Sequence, residues 1–172
     1  MVETRSPPSL SLDTVLVEVG GQTLGIPLTQ VIGALQMVAL HPLPGAPMHC
    51  LGSFCYLGDV LVVVDLAARL GLQRSTRRAY QRALLIVEGP DGSAGLAVDR
   101  VVKVGVARLP GPSLLPTQPV TRGLLRGFWV DGDAWAPVLD ASALLGTEER
   151  GKLRALLTLR PEELSAGDDR AP

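Results

Sequence analysis

A glycine and lysine pattern near the end of the chain, Gly146-x-x-x-x-Gly151-Lys152, matches most of a phosphate-binding loop. Such a loop needs a Ser or Thr after the lysine to reach Mg²⁺, a strand before it and a helix after it. Leu153 occupies the Ser/Thr position, two carboxylates would face the phosphates, and residues 141–145 have a helical pattern. The motif therefore does not predict nucleotide binding.

Histidines and cysteines, the usual zinc ligands, are close together at His41, His49, Cys50 and Cys55. The two histidines do not have zinc-finger spacing, and strand alternation would place Cys50 and Cys55 on opposite faces. We interpret both cysteines as small buried apolar residues without a disulfide. A catalytic Ser-His-Asp or Cys-His arrangement would have to use one of the two histidines, which flank a proline-rich connection. No catalytic residue, metal or cofactor is predicted.

Asp65, Asp99 and Asp140 each follow an apolar run. A carboxylate at a strand end commonly accepts backbone N–H groups of the next turn or caps a helix. We prefer this interpretation to an acid–base pair.

Arginines form one basic cluster, and Tyr80 is the single aromatic residue within it. Stacking on nucleic-acid bases therefore has little support here. A solvated connector is the simplest interpretation, and the alternative is a surface that docks an acidic protein partner. The cluster comprises Arg69, Arg74, Arg77, Arg78 and Arg82.

The two tryptophans, Trp129 and Trp135, lie on either side of Asp131-Gly132. Asp-Gly is a strong turn signal between two apolar runs. The spacing predicts a hairpin with a cross-strand tryptophan pair that packs in the core.

Composition limits the classes of partner. The 172 residues are 47% hydrophobic and carry a formal charge of -1, which favours neither nucleic acid nor an anionic membrane surface. The opening residues lack the apolar stretch of a signal peptide, so the sequence predicts a cytoplasmic protein without direct membrane insertion.

Ten short β-rich runs are the elements that must position these residues. Gly20-Gly21, residues 89–92 and Asp131-Gly132 supply turn residues that tolerate positive φ, as tight hairpins require. The pattern predicts an all-β, largely antiparallel barrel or sandwich. The runs are 14–19, 23–26, 37–40, 51–56, 60–65, 83–88, 94–98, 101–109, 124–130 and 134–139.

The ends of the chain differ from this middle part. Residues 1–12 lack a periodic apolar face and are predicted to be a flexible leader before a domain at 13–146. Residues 147–172 are predicted to form a short helix, with Leu153, Leu156 and Leu157 on one face, and then a disordered tail.

The order of the motifs resembles the CheW-like domain. The family's first hairpin and the segment that follows it resemble the opening run from Val17-Glu18-Val19-Gly20-Gly21 to Val31. The family's block with Gly-x-x-x-x-Arg-Gly and Val-Asp-Leu resembles the run from Leu51-Gly52 through Leu57-Gly58 to Val63-Val64-Asp65-Leu66. Downstream, Val98-Asp99-Arg100-Val101 resembles its Val-Asp-x-Val motif, and Leu125-Arg126-Gly127-Phe128 with Val138-Leu139-Asp140 resembles the closing hairpin.

This resemblance implies a fold of two five-stranded SH3-like barrels that share a hydrophobic seam, with short helices and no cofactor. Members of the family are adaptors that bind the cytoplasmic tip of a methyl-accepting chemoreceptor in a groove between the subdomains. Their barrel ends pair with the regulatory domain of a CheA-type histidine kinase. The implied protein-binding positions are Val31, Gly33, Gly52, Leu57, Gly58, Val98 and Val101.

The sequence departs from the family pattern at charged positions. Leu57 replaces an arginine, and Gly33 stands where an acidic residue is common. Leucine offers no donor fork and adds apolar area, so polar recognition there must weaken or change. The departures suggest one-sided coupling that limits receptor arrays. The alternative is that these substitutions arose by neutral drift and that changes in a matched partner compensate for them.

Two other function classes remain as alternatives. A small β-barrel that binds nucleic acid would need exposed aromatics beside a basic groove, and the chain is 3% aromatic. An enzyme would need convergent polar groups in one pocket, which no local spacing predicts.

Overall fold

The computed structural model describes residues 11–89, 92–108 and 124–144, and almost all of them lie in or beside β-strands. The described part also contains two short α-helices and two one-turn 3₁₀ helices, Leu28–Gln30 and Ala79–Gln81. The all-β fold class with short helices is confirmed. The elements in chain order are β1 (Ser11–Val19), β2 (Gln22–Pro27), β3 (Val31–Gln36), β4 (Cys50–Tyr56), β5 (Asp59–Asp65), α1 (Leu66–Arg69), β6 (Ala83–Gly89), β7 (Gly92–Val98), β8 (Arg100–Arg108), β9 (Leu125–Asp131), β10 (Ala134–Leu139) and α2 (Ala141–Leu144).

The first subdomain is a closed barrel with the strand order β1-β2-β10-β9-β8. Its pairs are antiparallel except for the contact between β2 and β10, which is parallel and closes the barrel through Gly25 and Val138. A barrel has no free edges, so its strands are protected from pairing with other chains. Its interior contains Leu16, Ala107, Trp129, Ala136 and Val138.

The second subdomain is a five-stranded sheet with the order β3-β6-β7-β5-β4. Its edges approach each other beyond β3, because His41 and Ser53 exchange two backbone hydrogen bonds of 2.8 Å across an isolated bridge. The sheet is therefore strongly curled, but its strand ladder does not close into a second barrel as the resemblance implies. Its own apolar interior contains Phe54, Leu61, Val63, Leu84, Ile86 and Ala97.

A shared hydrophobic seam joins the two subdomains. The largest buried cluster combines first-barrel residues such as Val17 and Ile26 with second-sheet residues such as Val64 and Leu96. Leu144 of α2 is buried in the same cluster. Burial of this surface drives association of the two halves, so the seam is part of one core.

One predicted strand is in the wrong place. Residues 37–40 are not a strand, and the third strand is instead Val31–Gln36, immediately before them. This strand lies at a sheet edge, where one neighbour, β6, supplies its ladder. The last ladder-like bond runs from the Met37 N–H to the carbonyl of Arg82 at 3.0 Å. Pairing with β6, which is distant in sequence, rather than local composition decides where β3 begins.

The predicted hairpins are confirmed. Gly20 and Gly21 have φ of 56° and 79° between β1 and β2, and Gly132 has φ of 59° between β9 and β10. Strands β6 and β7 pair back to Gly89 opposite Gly92. Glycine adopts these left-handed conformations without a Cβ penalty, as the local sequence signals predict.

The ends of the predicted domain are only partly described. Strand β1 begins at Ser11, so Ser11 and Leu12 belong to the barrel rather than to the leader. The predicted terminal helix, the tail and the Gly146-to-Lys152 pattern lie outside the described residues. Within residues 11–89, 92–108 and 124–144, no helix has the length and hydropathy to span a membrane.

Candidate protein-interaction site

The β4–β5 hairpin presents an apolar side chain at its tip. Tyr56 pairs with Asp59, so Leu57 and Gly58 are the two turn residues. Their φ angles are 50° and 95°, the positive values of a type I′ turn. Asn, Asp and Gly are preferred at such positions, and leucine is rare there. The Leu57 side chain is 87% exposed, so it is an apolar contact point held on a tight turn.

The hairpin tip and strand β3 are neighbours. A Cβ built on Gly33 would lie 3.3 Å from the hydroxyl of Tyr56, the residue immediately before the turn. Ile32 beside Gly33 is exposed, and Val31 at the start of β3 packs partly on the seam cluster. The structure therefore brings Gly33 and the turn to one edge of the second subdomain.

Gly52 has a role inside the fold. It has φ of 138° at a β-bulge, and a side chain there would collide with the carbonyl of His41. That carbonyl accepts the bridge hydrogen bond from the N–H of Ser53. Gly52 is buried, so it positions the β4 edge for the bridge and presents no side chain to a partner.

The two valines around Asp99 differ in exposure. Val98 is 0% exposed and belongs to the seam cluster, so in this structure it supports the core and presents no side chain at the surface. Val98 ends β7, a central strand of the second sheet. Both faces of this strand are covered, so residues 94–98 are all buried. Val101 begins the exposed part of β8, opposite Val17 of β1, and its side chain is accessible.

An exposed apolar face covers the outside of the first barrel. Along β8, Val102, Val104 and Val106 recur at every second position and all three are exposed, with Val104 59% exposed. Val130 on β9 pairs with Trp135 on β10, and both are exposed. Contiguous apolar surface of this kind marks interaction sites. The sequence reasoning missed it, although the alternation of valines at 102, 104 and 106 is a signal that could have revealed it. We call these five residues the outer face.

The predicted tryptophan pair is not formed. The turn residues are Gly132 and Asp133, so Trp129 pairs with Ala136 and Trp135 pairs with Val130. This register sends the two rings to opposite faces of the hairpin. Trp129 is in the barrel interior with the Lys103 ammonium 4.8 Å from its ring centre, whereas Trp135 is on the outer face, 6.0 Å from the Phe128 ring.

The two cysteines lie on one face of β4, not on opposite faces as predicted. Cys50 pairs with Val64 and Cys55 with Val60, and the bulge at Gly52 absorbs the change of alternation. Burial raises the pKa of the Cys50 thiol, although a backbone hydrogen bond with Gly52 acts in the other direction. Cys55 is exposed and Cys50 is partly buried, so the interpretation that both are buried is wrong for Cys55 and holds only in part for Cys50. The described ranges contain no cluster of His, Cys, Asp or Glu that could hold a metal.

Asp65 and Asp140 accept backbone N–H groups of the next turn, as predicted, whereas Asp99 accepts from a turn that is distant in sequence. Asp65 accepts from Ala68 at 3.3 Å and caps α1, Asp99 accepts from Gly20 at 2.9 Å, and Asp140 accepts from Ser142 at 2.8 Å. The bond from Gly20 to Asp99 ties the first hairpin of the barrel to the link between the subdomains.

The arginine cluster is not a uniform solvated connector. Arg82 lies 3.3 Å from Asp65 and 4.0 Å from Asp99, and all three side chains are at most 10% exposed. Arg82 comes directly before the buried strand β6, and this position is the sequence signal that it is a buried ion-pair partner. Arg69 also turns inward and donates to the carbonyl of Leu144 at 2.6 Å. The exposed arginines are therefore Arg74, Arg77 and Arg78.

Comparisons with known proteins agree with this architecture. The family model of the CheW-like domain matches residues 13–149. Fifteen chains of solved structures match. One is the crystal structure of the scaffolding protein TtCheW from Thermoanaerobacter tengcongensis, with a TM-score of 0.67, 22% sequence identity, and coverage of 81% of this chain and 96% of that chain. A search of curated proteins found no significant match. The two-subdomain fold and the extent of the family match together show that this chain belongs to the CheW-like domain family.

Proposed function

We propose that this protein is a non-enzymatic adaptor in bacterial chemosensory signalling. In this proposal it acts in the cytoplasm, where it binds the tip of a methyl-accepting chemoreceptor and also contacts the regulatory domain of a CheA-type histidine kinase. Membership of the CheW-like family supports the adaptor role. The observation that carries the proposal is the pair of exposed apolar surfaces on a fold with a fully buried core, the hairpin edge at Leu57 and the outer face.

The hairpin edge fits a helical partner. The uncharged Gly33 lies beside Tyr56 at the base of the turn that carries Leu57, and both Leu57 and Ile32, the neighbour of Gly33, are exposed apolar residues. An amphipathic helix can lay its apolar stripe on such a surface, with aliphatic contacts replacing the donor fork of an arginine. Arginine and leucine at this position select different partners, because an unpaired charge opposite an apolar side chain is penalised. We therefore assign the receptor tip to the hairpin edge.

The outer face fits a protein with a flat apolar surface. Its valines lie on a twisted β-surface, with Trp135 as a large aromatic anchor. Buried aromatic residues at the centre of an interface contribute much of the binding energy. We assign this face to the kinase regulatory domain, and we propose that the apolar hairpin edge at Leu57 and Gly33 favours the receptor side, so that coupling is one-sided and limits arrays.

Isothermal titration calorimetry against a receptor-tip fragment and against the kinase regulatory domain tests the proposal. Binding to the receptor tip together with measurable but weaker binding to the kinase regulatory domain is the expected result. The Leu57→Arg variant should weaken receptor binding, and Met48→Arg, at another exposed apolar position, serves as the matched control. Equal binding to both partners with normal kinase activation would contradict one-sided coupling. Binding to neither would contradict the adaptor role.

A further inference from the structure

A polar cavity of about 400 Å³ lies where the two subdomains meet. One wall is the β1–β2 turn with Gly20 and Gly21, and the other is the loop at residues 73–77. Glu18 and Asp99 complete the lining. Because the walls come from both halves of the fold, an occupant would contact both subdomains at once.

The loop that forms the cavity is fixed in place by the fold. Its base follows α1, where the Leu72 N–H donates to the carbonyl of Ala67 at 2.8 Å, and Leu70 and Leu72 pack on the seam cluster. Further along, the carbonyl of Gln73 lies so close to Gly20 that a Cβ there would be 2.5 Å away. A preformed site loses less entropy on binding than a flexible loop does.

The charges around the cavity leave two guanidinium groups unpaired. Glu18 pairs with Arg100 at 2.6 Å, and Asp99 faces Arg82 while it accepts the Gly20 N–H. Arg74 and Arg77 are exposed, and neither side chain makes an ion pair or hydrogen bond within the described ranges. The carboxylates are therefore compensated, and the unpaired charge in the cavity is positive.

We propose that this cavity docks an acidic segment of a protein partner, with a carboxylate side chain between Arg74 and Arg77. This inference rests on the proposed adaptor function only in taking the partner to be a protein. A guanidinium presents a planar fork of donors that matches a carboxylate, and Ser75 and Thr76 add hydroxyl groups beside it. With a net charge of -1 on the whole chain, the local positive charge also orients an acidic partner toward this surface.

A fluorescein-labelled hexaglutamate peptide titrated with the full chain, with fluorescence anisotropy as the readout, tests the docking surface. We expect saturable binding that weakens as the salt concentration rises. Arg74→Glu/Arg77→Glu should weaken binding about tenfold or more, the loss that follows when charge-assisted hydrogen bonds are removed. A hexalysine peptide should not bind. In ¹H–¹⁵N spectra, the amides of Gly20, Gly21, Ser75 and Thr76 should shift with hexaglutamate.

Arg108→Glu is the matched control, because Arg108 is exposed at the far end of β8 and the change of charge per residue is the same. Equal weakening by this control, or unchanged binding in the double variant, would overturn the proposal. Arg74→Gln/Arg77→Gln removes the charges without reversing them, and its thermal midpoint should equal that of the wild type because both side chains are exposed.

Receptor and kinase binding, measured in parallel, separate this inference from the proposed function. If the partners bind and hexaglutamate does not, the cavity proposal fails while the adaptor role remains. If hexaglutamate binds through Arg74 and Arg77 but neither signalling partner binds, the adaptor role fails and the acidic-docking surface remains.

Discussion

Leu57 is under local backbone strain that its side chain does not relieve. It has φ of 50° at an exposed turn, where the left-handed conformation costs an ordinary L-residue energy that Gly or Asn largely avoids. A strained residue that persists on a surface suggests a functional reason, here the apolar contact at the tip of the hairpin.

Replacement Leu57→Asn should stabilise the fold by about 1 kcal/mol, because asparagine tolerates the left-handed region. Leu57→Val should destabilise it, since a β-branched side chain fits positive φ poorly. Urea unfolding measures both changes. Met48→Asn, at an exposed site whose φ is not positive, should change stability by no more than about 0.5 kcal/mol. Lower stability of Leu57→Asn would contradict strain at the turn.

The two thiols should differ in reactivity. Iodoacetamide at pH 8 should modify Cys55 first, because Cys55 is exposed whereas burial raises the pKa of the Cys50 thiol and keeps it protonated. Peptide mass mapping over time measures the order, and Cys55→Ser should remove the fast phase. Raising the pH should speed modification of Cys50, since its thiolate fraction then increases. Faster labelling of Cys50 would contradict the burial argument.

Individual side chains were predictable where their partners are local. Asp65 and Asp140 at strand ends accept N–H groups of the next turn, and the sequence signal for this is short-range. The shared face of Cys50 and Cys55 was not predictable, because it depends on a bulge that alternation alone does not indicate. Burial of Val98 likewise depends on strands far away in the sequence.

The edges of the second sheet depend on Gly52. Gly52→Ala should destabilise the protein by about 2 kcal/mol, because the new methyl group meets the His41 carbonyl at a positive φ. Thermal and urea unfolding give the change. Gly33→Ala in the same sheet is the control, and it should cost less than about 1 kcal/mol because the atom it meets is the flexible end of Tyr56. Equal costs would show that the bridge does not constrain the sheet.

Strands β5, β6 and β7 meet at a buried charge cluster. Arg82→Met should destabilise the fold by about 3–5 kcal/mol, because Asp65 and Asp99 would remain buried without their cation. Arg78→Met on the exposed connector is the control and should have little effect. Urea unfolding of both variants checks this, and a neutral Arg82→Met would mean that the aspartates find other compensation.

Elements were predictable to the extent that their signals are local. The glycine turns indicate three hairpins correctly, since two-residue connections specify antiparallel neighbours. The third strand was misplaced because its ladder is with β6, distant in sequence. The register of the tryptophan hairpin was off because Asp131 pairs with Ala134 and therefore belongs to the strand rather than to the turn.

The outer face, which we propose as the docking surface for the kinase, is exposed and therefore adds little to the stability of the whole molecule. Val104→Asp should weaken binding of the kinase regulatory domain at least tenfold, because a buried unpaired carboxylate at an interface is costly. Its free energy of unfolding should change by less than about 0.5 kcal/mol, since Val104 is exposed. Calorimetry and urea unfolding measure the two quantities, with Met48→Asp as the control. Unchanged kinase affinity would show that the kinase docks elsewhere.

The two-subdomain arrangement was predictable only through the ordered motifs of the family. Composition and alternation indicate many short strands, but not which strands share a seam. The parallel contact of β2 with β10 joins the two ends of the domain, and no local sequence pattern predicts this contact. The outer face was missed for a related reason, because exposure depends on which elements cover a strand.

The second sheet interrupts the first barrel in sequence, and this has a consequence for synthesis. Strands β3 to β7 are contiguous in the chain, whereas the barrel needs β1 and β2 from one end and β8 to β10 from the other. On the ribosome, the second sheet can therefore pair completely while the first hairpin still lacks its neighbours. Barrel closure must await β10, and until that strand emerges Leu16 of β1 lacks Ala136 and Val138, two of its partners in the barrel interior.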